Sequence, residues 1–172
     1  MNSLTIITIN YNNFSGLEKT LKNIRDFKGD YKSIEYVIID GGSTDNSIDL
    51  IHQNIDIVDL FVSAKDGGIY DAMNKGISLA NEKLIGIANS DDWYEDNTLE
   101  VMWNKFSDGV VDQNNSMIYG IERVWKDDKI FNVQRRGASF ISESVLPHST
   151  FFVSKEVYNK YGAFDLSIKV LA

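Results

Sequence analysis

The chain has 172 residues, 43% of them hydrophobic and 24% charged, with a formal net charge of −8; this is the composition of one globular domain long enough to bury a real core. An acidic balance with no basic run argues against nucleic acid as a partner, and the absence of cysteine removes disulfides, zinc thiolate sites and cysteine nucleophiles. No apolar stretch approaches the ~20 residues needed to span a bilayer, and the N-terminus enters a strand with no basic region before it, so the expectation is a cytoplasmic protein without a signal peptide, with contact at the inner face of the membrane left open.

Residues 4–9 are a β-branched run ending in Asn10-Tyr11-Asn12-Asn13. A helix is expected from Ser15, with Glu18 completing a capping box and Leu17, Leu21 and Ile24 on one face. Residues 34–39 form a second strand ending at Asp40, and Gly41-Gly42-Ser43-Thr44 a turn. Asp45 then caps a helix carrying Ile48, Ile51 and Ile55. A short strand over 58–62, a helix over 69–80 and a strand over 84–88 follow. Asn97 and Glu100 signal a capped helix through Phe106. Strands alternating with helices imply βαβ units, a mostly parallel sheet and helices on both faces. Ligands on such sheets bind at the carboxyl ends of the strands. Asn10-Tyr11-Asn12, Asp40-Gly41-Gly42-Ser43 and Ser90-Asp91-Asp92 all fall there.

After about residue 115 the rhythm changes. Residues 117–125 and 129–135 read as a strand pair turning at Lys126-Asp127-Asp128. Residues 142–147 read as loop and 148–153 as another strand, and Ser154 caps a last helix ending near Gly162. The chain stops at Ala172 without a polar tail, which reads as an interruption. No internal repeat or low-complexity segment is present.

Two segments carry chemistry. Asn89-Ser90-Asp91-Asp92 follows the apolar run Leu84-Ile85-Gly86-Ile87-Ala88. Adjacent carboxylates at the end of a buried strand need a positive partner, and a divalent metal bearing a phosphate suits them because hard cations prefer such oxygens. The alternative is an acidic turn capping the next helix. In Lys65-Asp66-Gly67-Gly68-Ile69-Tyr70-Asp71-Ala72-Met73-Asn74-Lys75-Gly76, helical spacing buries Ile69, Met73, Ile77 and Ala80. Asp71, Asn74, Lys75 and Ser78 share the opposite stripe. Gly67-Gly68 either offers free amides to an anion at a helix N-terminus or is a plain turn before a solvated face.

In this order, the segments resemble the family 2 glycosyltransferases of the GT-A fold. The first strand with its Tyr-Asn turn, Val37-Ile38-Ile39-Asp40-Gly41-Gly42-Ser43-Thr44-Asp45, Gly68-Ile69-Tyr70-Asp71-Ala72-Met73-Asn74-Lys75-Gly76-Ile77 and Asn89-Ser90-Asp91-Asp92 match four motifs, the third in the version of exopolysaccharide and capsule enzymes. Pro147-His148-Ser149-Thr150-Phe151-Phe152 and Gly162-Ala163-Phe164-Asp165 resemble acceptor-side segments. The resemblance implies an α/β, GT-A (Rossmann-like) nucleotide-diphospho-sugar transferase fold over 1–172, with 1–107 as the nucleotide-sugar-binding half and 108–172 as a partial acceptor-side half. It implies an inverting, metal-dependent glycosyltransferase of bacterial surface polysaccharide biosynthesis. The donor would be a nucleotide-diphosphate sugar, with a UDP-sugar favoured, and the acceptor a glycan or lipid-linked glycan; a homodimer is left open.

By the same resemblance, Asp92 would bind Mn2+ or Mg2+, which would offset charge developing on the leaving diphosphate. Asp91 would face the ribose or sugar, and Asp40 the base and ribose. Thr8, Asn10, Tyr11, Gly42, Ser43, Asp71 and Asn74 would complete the donor site. His148 would lie near the diphosphate or acceptor, or be a hydrogen-bonded strand histidine. Trp93 reads as a buried core aromatic, with sugar stacking as its alternative. There are two departures. Asp40-Gly41 lacks the second aspartate many members carry, which loosens the choice of uridine. The general base of the family is a carboxylate after the Gly-x-Phe-Asp segment, hence expected beyond Ala172; Asp165 belongs to the preceding motif. A sugar-nucleotide pyrophosphorylase is opposed by the lack of a cationic glycine-rich loop after the first strand. A phospho-acceptor signalling domain is opposed by an acidic pair after the fourth strand rather than the first, and a dinucleotide oxidoreductase by the lack of G-x-G-x-x-G.

Overall fold

The computed structural model describes residues 4–30, 33–134 and 148–168. Strands β1 (Leu4–Asn10), β2 (Ile34–Asp40), β3 (Leu60–Ser63) and β4 (Leu84–Ile87) alternate with helices α1 (Phe14–Asp30), α2 (Ser47–Gln53) and α3 (Ile69–Leu79). Helix α4 (Thr98–Ser107), strands β5 (Met117–Tyr119), β6 (Glu122–Lys126) and β7 (Lys129–Gln134), a 3-10 turn (His148–Thr150), β8 (Phe151–Ser154) and α5 (Lys155–Tyr161) follow. The main sheet has the order β3-β2-β1-β4-β8-β5. Its first four strands are parallel and β8 runs antiparallel between β4 and β5. From β1 the chain winds outward to β3, then returns to the other side of β1 for β4. The sheet therefore switches direction between β1 and β4, where an α/β sheet opens a crevice. Beyond β4, the Ala88 and Ser90 amides still donate to the Ile7 and Ile9 carbonyls at 2.9 and 3.0 Å, which lays the acidic turn against the end of β1.

Strand alternation sends Ile6, Ile34, Tyr36 and Ile38 to one face, under α1, α2 and α4, and Ile7, Ile9, Val37 and Ile39 to the other, under α3. A Cβ added at Gly76 would lie 2.4 Å from Ile7 Cγ2, so glycine is what lets α3 lie directly on β1. No helix among the described residues is long and apolar enough to cross a membrane.

Several expected boundaries move. The first helix starts at Phe14, and Asn13 caps it in place of the Ser15–Glu18 box: Asn13 Oδ1 accepts the Gly16 N–H at 3.1 Å. On α2, Leu50 and Ile51 are buried, whereas Ile55 lies past the helix and is exposed. Asp45 takes the Phe14 N–H at 2.9 Å and the Ser47 hydroxyl at 2.6 Å, tying the starts of α1 and α2 together. Of the expected α3 stripe, Ile69 is exposed and Gly76 takes its buried place. The single strand expected over 117–125 breaks at Gly120-Ile121. Its first part joins the main sheet, and its second pairs with β7 as a separate ribbon. Asp127 and Asp128, at φ of 49° and 57°, make the left-handed pair of a tight hairpin. Residues 148–150 form a 3-10 turn rather than strand. Arg135, the loop at 142–147 and Ala172 lie outside the described residues.

Candidate functional site

The acidic turn is built on α1. The buried Thr20 hydroxyl donates to the Asp92 carbonyl at 2.8 Å and accepts the Asp91 N–H at 3.1 Å. One turn on, Asn23 holds the Tyr94 backbone with both ends of its amide, donating to the carbonyl and accepting the N–H, each at 2.9 Å. Asn13 donates to the Ser90 carbonyl at 3.2 Å. Thr20 and Asn23, three residues apart on the helix, and Asn13 at its cap serve together as a polar rail for the loop. None of the three carried a sequence signal for the site beyond its helical spacing. Asp91 has a left-handed φ of 86°, which a short polar side chain tolerates. It pairs outward with Lys19, Nζ to Oδ1, at 2.7 Å.

Asp92 is half-buried, and its Oδ2 accepts the Asn89 N–H at 3.0 Å. Burial pushes its carboxyl up to about 6; the Asn89 hydrogen bond opposes the rise, and the Glu122 and Asp91 charges add to it. Asn89 Nδ2 donates to His148 Nε2 at 2.9 Å, while Asn89 Oδ1 is buried with no hydrogen-bond partner among the described residues. Burial lowers the His148 pKa against the opposing Glu122 charge, in keeping with a neutral imidazole that accepts at Nε2. Ser149 Oγ donates to Glu122 Oε1 at 3.1 Å. A carboxyl short of positive charge, held by the backbone of a residue whose amide oxygen is unpartnered, fits a hard divalent cation. Among the described residues, no group of three or more His, Cys, Asp or Glu side chains could hold a metal alone. Such an ion would take further oxygens from a bound phosphate and water, as Mg2+ commonly does.

The Asp40 cluster is a buried knot, in which Asn10 Oδ1 has no hydrogen-bond partner among the described residues. Asp40 has no exposed surface. Its Oδ2 accepts from the Gly42 N–H (3.0 Å), the Ser43 N–H (2.9 Å) and the Ser63 hydroxyl (2.8 Å). Its Oδ1 accepts from Asn10 Nδ2 (2.9 Å) and the Ser43 hydroxyl (2.5 Å). Burial by itself raises such a carboxyl, but the Ser43, Asn10 and Ser63 hydrogen bonds outweigh it and hold Asp40 below its ordinary range. Gly42, at φ 85°, lets the loop curl back over its own carboxylate. Asn10 and Ser43 are buried in the knot, and the buried Thr8 hydroxyl accepts from Tyr36 at 3.0 Å. Asn10 and Ser43 thus shape the loop from beneath, and Thr8 is tied to the core through Tyr36. Tyr11 is 65% exposed. A Cβ at Gly41 would lie 3.2 Å from Tyr11 Cδ2 and 2.9 Å from Asp66 Oδ2. Tyr11 and Asp66 therefore meet over a glycine floor, and Asp66 is a residue that sequence reasoning passed over; its one signal was its place before Gly67-Gly68.

On α3 the expected free amides are occupied. The Gly67 N–H donates to Asp71 Oδ2 and the Gly68 N–H to Asp66 Oδ1, each at 2.9 Å. The Gly67 amide, with Lys75 Nζ at 2.9 Å, holds Asp71 below the ordinary carboxylate range. Asn74 is engaged by the chain itself: Nδ2 donates to the Phe164 carbonyl and Oδ1 accepts the Phe164 N–H, each at 2.8 Å. Tyr70 stacks on the Phe164 ring at 5.0 Å.

On the Asp92 side, a groove of about 1100 Å³ opens between the acidic turn, the start of α4, β5 and the β6–β7 ribbon. Trp93, expected in the core, is 41% exposed on it, its ring 6.2 Å from that of Trp125.

The model of glycosyl transferase family 2 matches residues 5–162. An uncharacterized glycosyltransferase of Mycobacterium tuberculosis is 27% identical over 99% of this chain, which spans 65% of that relative's length. The glycosyltransferase GlyG of Streptococcus pneumoniae is 30% identical over 59% of this chain and 34% of its own. Among solved structures, S. aureus TarS 1–349 superposes with a TM-score of 0.72 at 16% identity, covering 98% of this chain and 52% of TarS 1–349. The mannosyltransferase PcManGT from Pyrobaculum calidifontis, in complex with GDP-Man and Mn2+, gives 0.69 at 20% identity, over 96% and 48%. These two likenesses establish the GT-A fold. With its family match running through all four motifs, the chain belongs to glycosyl transferase family 2.

Proposed function

We propose that this chain carries the donor-binding machinery of an inverting, metal-dependent glycosyltransferase that moves a sugar from a nucleotide-diphosphate sugar to a glycan or lipid-linked acceptor of a bacterial surface polysaccharide. Residues 1–107 bind the donor and 108–172 contribute to the acceptor side, in the cytoplasm or at the inner face of the membrane. The observation that carries this is the placement of Asp92: a half-buried carboxyl held by the Asn89 N–H at 3.0 Å, at the switch point of the sheet, with burial raising its pKa to about 6. Asp92 and Asn89 would hold Mn2+ or Mg2+, and the ion when bound would supply Lewis-acid stabilisation of the leaving diphosphate. Tyr11 and Asp66 offer a ring face and an acceptor to the nucleoside over Gly41, and the Asp40 knot keeps that floor rigid. A UDP-sugar is favoured by the motif pattern. The phospho-acceptor and pyrophosphorylase alternatives are not favoured, since the family match runs across the strand-end motifs.

The test is thermal unfolding with UDP, GDP, dTDP, ADP or CMP, with and without Mn2+. A ligand at 100 times its Kd stabilises the native state by about 2.7 kcal/mol. For a domain of this size that is a rise of about 5–10 °C in Tm. The expected result is stabilisation by one diphosphate, dependent on Mn2+ and lost in Asp92→Asn. Retention of the metal-dependent shift in Asp92→Asn would refute the metal assignment, and indifference to every nucleotide would refute the donor assignment.

A further inference from the structure

We propose that the groove beside Asp92 binds a neutral carbohydrate acceptor of two or three rings, stacked on Trp93 and Trp125 with its hydroxyls on Glu122. This deepens the transfer reaction proposed above and rests on it.

Three observations converge. The first is aromatic. Trp93, on the acidic turn, and Trp125, on β6, are 41% and 40% exposed, with rings tilted by 45° at 6.2 Å. They come from segments more than thirty residues apart in sequence, so the pairing is a product of the tertiary fold. Wide apolar ring faces left in water mark a binding surface, and the C–H face of a pyranose is the complementary shape. The second is charge. Asp91, Asp92, Glu95, Asp96 and Glu122 line the groove with two cations, Lys105 and Arg123, and Asp91 is paired with Lys19 from outside the lining, which leaves Asp92, Asp96 and Glu122 to set the charge. Arg123 is already paired with Glu95. Such a surface repels phosphates and uronates, while its carboxylate oxygens accept hydrogen bonds from sugar hydroxyls. Glu122 is steadied for this by the Ser149 hydroxyl at 3.1 Å. The third is size and continuity. About 1100 Å³ slightly exceeds the usual range for small-molecule sites, about 300–1,000 Å³. That leaves room for more than one sugar ring. Asp92 forms part of its wall, so an occupant's leading hydroxyl would meet a donor held at the metal carboxylate.

The chain has three tryptophans, and each gives one indole N–H signal in an NMR spectrum. Trp103, on α4, is packed against the core and serves as an internal control. The experiment titrates the chain, without nucleotide or metal, with neutral di- and trisaccharides of gluco, galacto, manno, rhamno and N-acetylglucosamine configuration, and with their uronic-acid counterparts, to millimolar concentration. The expected result is movement of the Trp93 and Trp125 signals, but not that of Trp103, by at least one neutral saccharide and by no uronate. Trp93→Ala and Trp125→Ala should each weaken that binding about five- to tenfold, the worth of one aromatic stack, whereas Trp125→Phe should keep most of it. Because both rings are solvent-facing, the alanine variants should fold, and unchanged amide spectra away from the groove check this. No movement of Trp93 and Trp125 with any saccharide, or a preference for the uronates, overturns the proposal. Nucleotide binding is measured separately. Saccharide binding without nucleotide binding would sink the donor site alone, and the reverse would sink the groove alone.

Discussion

Thr20→Val tests whether α1 carries the acidic turn. The substitution keeps the shape and removes only the hydroxyl, which donates to the Asp92 carbonyl at 2.8 Å, accepts the Asp91 N–H at 3.1 Å, and also reaches the Gly16 carbonyl at 3.2 Å and the Asn89 carbonyl at 3.4 Å. Thr20 is fully buried, so valine's methyl cannot be replaced there by water without a shift of the turn. A buried polar group left without its partner costs about 1–3 kcal/mol. Rehydration of the more exposed Asp91 side would reduce the second loss, giving about 2 kcal/mol in all. For a domain of this size that lowers Tm by about 4–8 °C. The turn also carries Asp92, so Mn2+-dependent nucleotide affinity should fall about tenfold or more as the carboxylate loses its fixed position. Calorimetric unfolding and isothermal titration with the nucleotide that stabilises the chain measure the two effects. A variant with unchanged Tm and unchanged affinity would refute the claim that the helix positions the metal carboxylate. A loss of stability with intact affinity would mean the turn holds its shape by other means.

The remaining predictions concern charge, packing and the C-terminal clasp. The folded pKa of Asp92, about 6, lies above its ordinary 3.8. The folded chain therefore binds more protons in that interval, and the metal-free protein loses stability as pH rises from about 4 to about 6, with the penalty persisting above. Asp92→Asn in chelator should abolish this segment of the stability–pH curve and raise Tm at neutral pH; an unchanged slope would count against it. Gly76→Ala drives a Cβ to 2.4 Å from the buried Ile7 Cγ2. Overpacking of about 1–3 kcal/mol should exceed the ~1 kcal/mol gained in helix propensity, and urea unfolding should show net destabilisation; a stabilised variant would mean α3 slides freely on β1. Asn74→Ala removes both hydrogen bonds to Phe164. Amide exchange at Phe164 should speed up about tenfold while that of β1 stays unchanged, and equal acceleration throughout would show that the clasp is part of the global core.

Much of the first four-stranded part of the fold was legible in the sequence. The strands β1, β2 and β4 are β-branched apolar runs bounded by polar turns, and the intervening helices carry local periodicity, so alternation alone yields the parallel sheet and places Asn10, Asp40 and Asp92 at one edge. Local patterning also marks the acidic turn, since nothing about packing is needed to see two carboxylates after a buried strand. What it cannot express is the direction in which a polar side chain at that edge turns. Asp40 and Asp92 look alike in sequence. One is sealed by five hydrogen bonds from Asn10, Gly42, Ser43 and Ser63; the other lies half-buried, held by the Asn89 N–H, with its pKa raised.

The difference arises from partners far away in the chain. Thr20 meets Asp92 across 72 residues and Asn74 meets Phe164 across 90. Such pairs exist only after the βα units have stacked and the sheet has reversed direction beside β1. The same holds for the groove. Glu122 and Trp125 seemed to belong to one long strand, and it is the break at Gly120-Ile121 that sends β5 into the sheet and leaves β6 with β7 facing Trp93. Sequence by itself determined the parallel strands and their helices, most of the buried apolar stripe on each, and where charge collects. The tertiary structure decided which of those charges are consumed in holding loops and which stay open to a ligand, because a hydrogen bond, unlike a hydrophobic face, has a single partner whose position the whole fold must supply.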